Sequence, residues 1–101
     1  MGNTNITNNT DIIIYLTYPR SEEGRLRSIT EVINPGQTWS YQGPLTYLDI
    51  FCNNCNQLLA ITSNNIPVKL FGLIQERPGL RILPTGDYII YKIDTSNNII
   101  R

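Results

Sequence analysis

Turn-forming residues interrupt this chain so often that no stretch keeps a helical period long enough for a stable helix. Pro19, Asn34-Pro35-Gly36, Gly43-Pro44, Asn53-Asn54, Ser63-Asn64-Asn65, Arg77-Pro78-Gly79 and Pro84-Thr85-Gly86 punctuate it. The runs between them are short and rich in Ile, Thr and Tyr, and Ala occurs once, at Ala60. β-branched and aromatic side chains suit a pleated, half-buried surface, whereas the strongest helix former is nearly missing. A chain cut in this way folds as short strands joined by turns.

The strands can be placed. Ile12 to Leu16 opens one that Pro19 stops, and Arg20-Ser21-Glu22-Glu23-Gly24 reads as a charged turn. Arg25 to Ile33 is a second strand, ended by Asn34-Pro35-Gly36, where Pro then Gly suits the centre of a type II turn. Gln37–Tyr41 and Leu45–Cys52 follow. In the latter, Leu48, Ile50 and Cys52 share one face and Tyr47, Asp49 and Phe51 the other. Gln57–Thr62, Ile66–Ile74, Leu80–Leu83 and Asp87–Ile93 continue the pattern, with Ile99-Ile100 as a stub. Pro67 marks a strand start or an edge strand. The result is an all-β protein of about eight short antiparallel strands, a small β-sandwich or jelly roll over residues 12–101. Residues 1–11, Met-Gly-Asn-Thr-Asn-Ile-Thr-Asn-Asn-Thr-Asp, are almost wholly polar and read as a flexible N-terminal arm or connector.

Composition excludes several kinds of chemistry. With no His, a Ser-His-Asp triad, a Cys-His pair and every His-containing metal site within one chain are ruled out. Eight basic residues balance eight acidic ones, which gives no net charge to draw the chain to nucleic acid or an anionic membrane. No apolar run approaches the ~20 residues of a membrane helix. No basic start leads into an apolar stretch, so no classical signal peptide is expected. Asp49, Glu76, Asp87 and Asp94 have no spacing for a calcium loop or a catalytic carboxylate pair. The chain is therefore not expected to be an enzyme, nor to carry a cofactor or metal.

Three features remain as candidates. Cys52-Asn53-Asn54-Cys55 follows a strand and enters an Asn-rich turn with no helix to lower a thiol pKa. That setting suits a disulfide or cross-link, or a small core residue beside an incidental loop thiol. Trp39 and Tyr41 share one face of a short strand with Tyr47 near by; such aromatics can stack on sugar rings but more often form a core or interface cluster. Within the arm, Asn5, Ile6, Thr7, Asn8, Asn9 and Thr10 alternate in a way that suits a strand docked on a neighbouring subunit. Asn5-Ile6-Thr7 and Asn8-Asn9-Thr10 also fit the glycan acceptor pattern, which chance explains in a chain this rich in Asn. Arg25 and Arg27, two apart on one strand, are placed to pair with Glu22, Glu23 or Glu31 or to face water.

The polar Asn/Thr arm, the compact strand-rich body, the strand-to-loop cysteine pair and the missing active site together resemble the jelly-roll subunits of endospore appendage fibres of spore-forming bacteria. In that family an N-terminal connector enters a neighbouring subunit and cysteines can lock successive subunits. The resemblance implies a connector at residues 1–11 and a jelly roll at about 12–101. Its cross-linking connectors carry cysteines where this arm has none, so a covalent lock would fall to Cys52 and Cys55.

Low charge, zero net charge and open strand edges offer little resistance to association. The expected function is a self-assembling structural subunit of an extracellular or spore-surface fibre, polymerising through strand donation by the arm. Its partners would be copies of itself, with an anchoring or tip protein, and neither nucleic acid nor membrane. Its place would be a cell, spore or virion surface. A phage or viral structural protein and a carbohydrate-binding β-sandwich module are the alternatives.

Overall fold

The computed structural model describes residues 2–52, 58–63, 66–73, 80–82, 86–96 and 98–100, with backbone alone for 66–73 and 80. Ten strands are present and no helix occurs among the described residues: β1 (Asn3–Asn9), β2 (Ile14–Glu22), β3 (Arg25–Ile33), β4 (Thr38–Gln42), β5 (Leu48–Phe51), β6 (Leu58–Ser63), β7 (Ile66–Leu73), β8 (Leu80–Ile82), β9 (Gly86–Ile93) and β10 (Ile99–Ile100). They form a small β-sandwich. The first sheet runs β4-β1-β9-β6-β7, with β10 beside the end of β9, and the second runs β3-β2-β5-β8. Every described pairing is antiparallel except β1 with β9, which is parallel, so the first sheet is mixed.

The core lies between the sheets. Ile6, Trp39, Leu59, Ile61, Tyr88 and Ile90 enter it from the first sheet. Ile14, Leu16, Tyr18, Leu48, Ile50 and Cys52 enter from the second. The alternation expected of Leu48, Ile50 and Cys52 is present, all three being buried. Asp49 and Phe51 on the other face are buried as well, under outward-facing neighbours of the second sheet.

Turn chemistry explains the local joints. Gln37 N–H donates to the Asn34 carbonyl at 3.0 Å, and Gly36 has φ +81°. That is the third position of a type II turn, where a side chain would strain the backbone, so Asn34-Pro35-Gly36 turns the chain as expected. The expected turn at residues 20–24 is shorter. β2 runs on through Glu22, and only Glu23 and Gly24, with φ of 50° and 76°, make the bend. Two consecutive left-handed residues form a type I′ turn, whose twist matches that of the flanking strands. Pro19 does not stop β2. It faces Ser28 across the hairpin, and the β2–β5 pairing has already ended at Thr17, so its missing N–H breaks no ladder bond. Pro67 does lie near the start of a strand at the edge of its sheet.

The flexible arm expected at residues 1–11 is corrected. Residues 3–9 are β1, an interior strand hydrogen-bonded to β4 on one side and β9 on the other. Thr4, Ile6 and Asn8 point inward and are buried, and Ile6 has no exposed surface. The polar composition that suggested disorder serves a strand with one wet face. Asn5 and Thr7 on that face meet polar neighbours, while the buried Asn8 finds partners for its amide. β1 thus belongs to the same sandwich as the strands after residue 12.

Because Ile6 fills the core between the sheets, Ile6→Ala should lower stability to chemical denaturation by about 3 kcal/mol. The half-exposed Ile13→Ala should cost about 0.5 kcal/mol or less. A frayed arm would give no loss at Ile6.

Candidate functional site

The six residues singled out as a connector all lie on β1 or at its exit, and two kinds of contact hold them. On the outer face, Ser40 Oγ donates to Asn5 Oδ1 at 2.6 Å, and Asn5 Nδ2 donates to Asp87 Oδ1 at 2.7 Å. This row crosses three strands, from β4 through β1 to β9. One row along, the Thr7 and Thr38 hydroxyls are hydrogen-bonded at 2.9 Å.

On the inner face, Asn8 acts as a pin. Its Nδ2 donates to the carbonyls of Ile12 and Ile33, both at 2.8 Å. Its Oδ1 accepts from Thr10 N–H at 3.1 Å and from the Thr10 hydroxyl. Its backbone N–H donates to Gln37 O at 2.9 Å, and its carbonyl accepts from Gly36 N–H at 2.8 Å. One buried residue thus ties the end of β1 to the approach of β2, the end of β3 and the β3–β4 turn. With both amide ends satisfied, its burial costs little. It also takes Asn8 out of reach as a glycan acceptor in the folded chain.

Past the pin the chain turns through Thr10–Ile13 into β2. Asp11 Oδ1 lies 3.0 Å from Lys92 Nζ, and this hydrogen bond and charge hold the Asp11 carboxyl below its ordinary pKa. Asn9, Thr10, Asp11, Tyr91, Lys92 and Ile100 line an open depression of about 520 Å³ beside this joint.

Trp39, Tyr41 and Tyr47 do not form one surface. Trp39 is only 9% exposed and stacks on Tyr41, and both rings pack against Tyr18 with centroids 5.5 and 5.1 Å away. Two of these rings meet at Glu31. Its Oε2 accepts from the Tyr18 hydroxyl and, at 3.1 Å, from Trp39 Nε1. Tyr18 and Glu31 belong to the second sheet and Trp39 and Tyr41 to the first, so the carboxylate clasps the two sheets together along the β3–β4 side. Burial, then the hydrogen bond to Glu31 and its charge, push the Tyr18 hydroxyl up to about 12.

Tyr47 sits in another cluster. Arg81 lies over its ring, 4.1 Å from the centroid, and makes a two-pronged bond to the buried Asp49 at 2.8 and 3.1 Å. Asp49 and Arg81 are register partners on β5 and β8, which brings a carboxylate isolated in the sequence to its cation.

Cys52 is buried and disulfide-bonded. Cys55, the other cysteine of the chain, lies outside the described residues, as does Glu76. Among the described residues no group of acidic or thiol side chains could hold a metal ion. No helix there is long and apolar enough to cross a membrane.

Sequence reasoning missed Tyr18 and Glu31. The signal available was the even spacing of Glu31, Ile33 and Ile29 on one strand face, which marks Glu31 as inward-facing and in need of donors. Of the two readings of Arg25 and Arg27, the water-facing one holds: both are exposed, Glu31 is engaged by Tyr18 and Trp39, and neither arginine has a carboxylate within ion-pair distance among the described residues.

No protein-family model, curated protein or solved structure matches this chain. Its function must be argued from its own geometry.

Two outcomes test these contacts. Asn8→Asp, which turns a carboxylate toward two carbonyls, should destabilise more than Asn8→Ala, itself costing about 2 kcal/mol; denaturant unfolding ranks the pair. For Tyr18 the sign follows from its raised pKa. The folded state holds the proton more tightly than the unfolded chain, whose tyrosines ionise near 10. Tyr18 should therefore contribute stability in full below pH 10 and lose it progressively up to about pH 12. Tyr18→Phe should flatten that loss, as read by unfolding across the range.

Proposed function

We propose that this protein is a non-enzymatic structural subunit that polymerises by exchanging β1 between copies, as in an extracellular or spore-surface fibre. One observation carries the reading. The first strand of the sequence occupies an interior position, between β4 and β9. Withdrawing it leaves a groove with an unpaired ladder on each wall. The strand best able to refill that groove is β1 of another copy.

Such an exchange is thermodynamically cheap. Every contact of β1 with β4 and β9 is remade between chains, and only the joint around Thr10–Ile13 changes its path. The Asn8 pin opposes the exchange locally: its bonds to Thr10 and Ile12 lie within the joint, while its bond to Ile33 moves with the strand. An exchange in which each copy gives to one neighbour and takes from another does not close, and an open head-to-tail contact makes a filament. Added strands gain affinity from main-chain bonds and specificity from alternate side chains. Here Ile6 would be the apolar anchor, and the Ser40–Asn5–Asp87 row would set the register.

The hydroxyls of Thr7 and Thr38 touch across β1 and β4, which provides a direct test. A Thr7→Cys/Thr38→Cys chain oxidised when dilute should close internally, stay monomeric on a denaturing gel and form no fibres. Oxidised after concentration, it should give a ladder of covalent multimers, with fibres in negative stain. Absence of fibres at any concentration, or fibres whose new disulfides are all internal, would overturn the reading.

A further inference from the structure

β3 is the edge of the second sheet, nine residues long, with an unbroken register to β2 and no bulge in that ladder. Natural sheets blunt long open edges with charged side chains, prolines, bulges or a covering segment, and β3 carries charges at Arg25, Arg27 and Glu31. β3 contains no proline, and all but its last three alternate inner positions face water. Its free backbone groups can be assigned. The type I′ turn hydrogen-bonds Glu22 to Arg25, so Arg25, Arg27, Ile29, Glu31 and Ile33 bond to β2. Pro19, which has no N–H to give, accordingly faces Ser28, one of the residues left over. The N–H and carbonyl groups of Leu26, Ser28, Thr30 and Val32 therefore point out along the open edge.

The side chains on this edge carry two unanswered demands. Leu26 and Val32 are 76% and 48% exposed, two of the largest apolar exposures described. Arg27 stands directly across the hairpin from Arg20, and neither cation has an acidic partner among the described residues. Like charges placed opposite each other in a ladder repel.

We propose that the β3 edge pairs antiparallel with the β3 edge of a second copy, about a two-fold axis at Ile29. In that register Leu26 lies opposite Val32 of the other copy, Arg27 opposite Glu31 and Ser28 opposite Thr30. Leu26–Val32 and Ser28–Thr30 then join residues whose backbone groups both face the edge, as an antiparallel ladder demands. The same register covers both exposed apolar side chains and gives each Arg27 a carboxylate. Glu31 can serve both roles: its Oε2 accepts from Tyr18 and Trp39, and its Oε1 has no partner among the described residues. The contact is isologous and closes as a pair, joining two four-stranded sheets into one. It involves no residue of β1, so it is distinct from strand exchange and stands or falls apart from it.

The register is tested by cross-linking two single variants, Leu26→Cys and Val32→Cys, with the unsubstituted chain carried through the same mild oxidation. An equimolar mixture should give a disulfide-linked heterodimer. Either variant alone should not, because its two copies of the position lie about 20 Å apart in this register. Sedimentation equilibrium should show a dimer of the unsubstituted chain. Arg27→Glu should weaken it about tenfold or more, since two facing pairs become repulsive. Arg25→Glu, opposite Ile33, should change it by about twofold or less. A mixture that fails to cross-link, single variants that cross-link equally well, or an unsubstituted chain that remains monomeric would each overturn the pairing. Near-ultraviolet circular dichroism of Trp39 verifies that each variant is folded.

Discussion

The first sheet is continuous only because β1 lies in it. Take that strand away and β4 has no partner among the described strands, while β9 loses one side of its ladder. The β1 contacts also reach the second sheet: Ile6 enters the common core, and Asn8 holds carbonyls at the end of β3 and the approach to β2. A strand made mostly of Asn and Thr thereby becomes the piece on which both sheets are aligned. The physical reason is that burial of a polar side chain costs free energy only when its donors and acceptors are left unmet. At Asn8 none is left unmet.

A second clasp lies on the same side of the molecule. Glu31 would be costly in an apolar core, but the Tyr18 hydroxyl and the Trp39 ring nitrogen both donate to it. It thus fastens β3 of one sheet to β4 of the other just beyond the turn that connects them. Asp49 and Arg81 do the corresponding work on the outer face of the second sheet, with the Tyr47 ring beneath the guanidinium. Among the described residues no buried side-chain polar atom lacks a partner, whereas Arg20, Arg25 and Arg27 of the β2–β3 hairpin have no acidic partner there. Those arginines and the open edge of β3 are what the proposed second copy would answer.

Much of the fold was legible in the residue order. The Pro35-Gly36 turn, the alternation of Leu48, Ile50 and Cys52, and the edge position signalled by Pro67 follow from local rules of backbone and pleat. The candidate site was half legible. The sequence alternation of residues 5–10 marked a docked strand, but could not say that the chain docks it on itself. Trp39 and Tyr41 could be read as a core cluster or as a sugar-stacking face, because a two-residue aromatic repeat is the same whether its face meets water or a second sheet; the structure packs them against the core. The pairing of Glu31 with Tyr18 and Trp39 joins residues of different strands, and nothing local to any of them announces it.

The sequence by itself determined that this chain is all β, where its sharpest turns fall, and that chemistry requiring histidine is closed to it. These are consequences of steric preference and side-chain inventory, which act within a few residues. Only the tertiary structure decided that the polar N-terminus is an interior strand, that it runs parallel to β9, and that β3 is left as an edge. Those outcomes depend on which distant segments supply hydrogen-bond partners and apolar cover. A strand's own residues state what it needs, and the rest of the fold decides where the need is met.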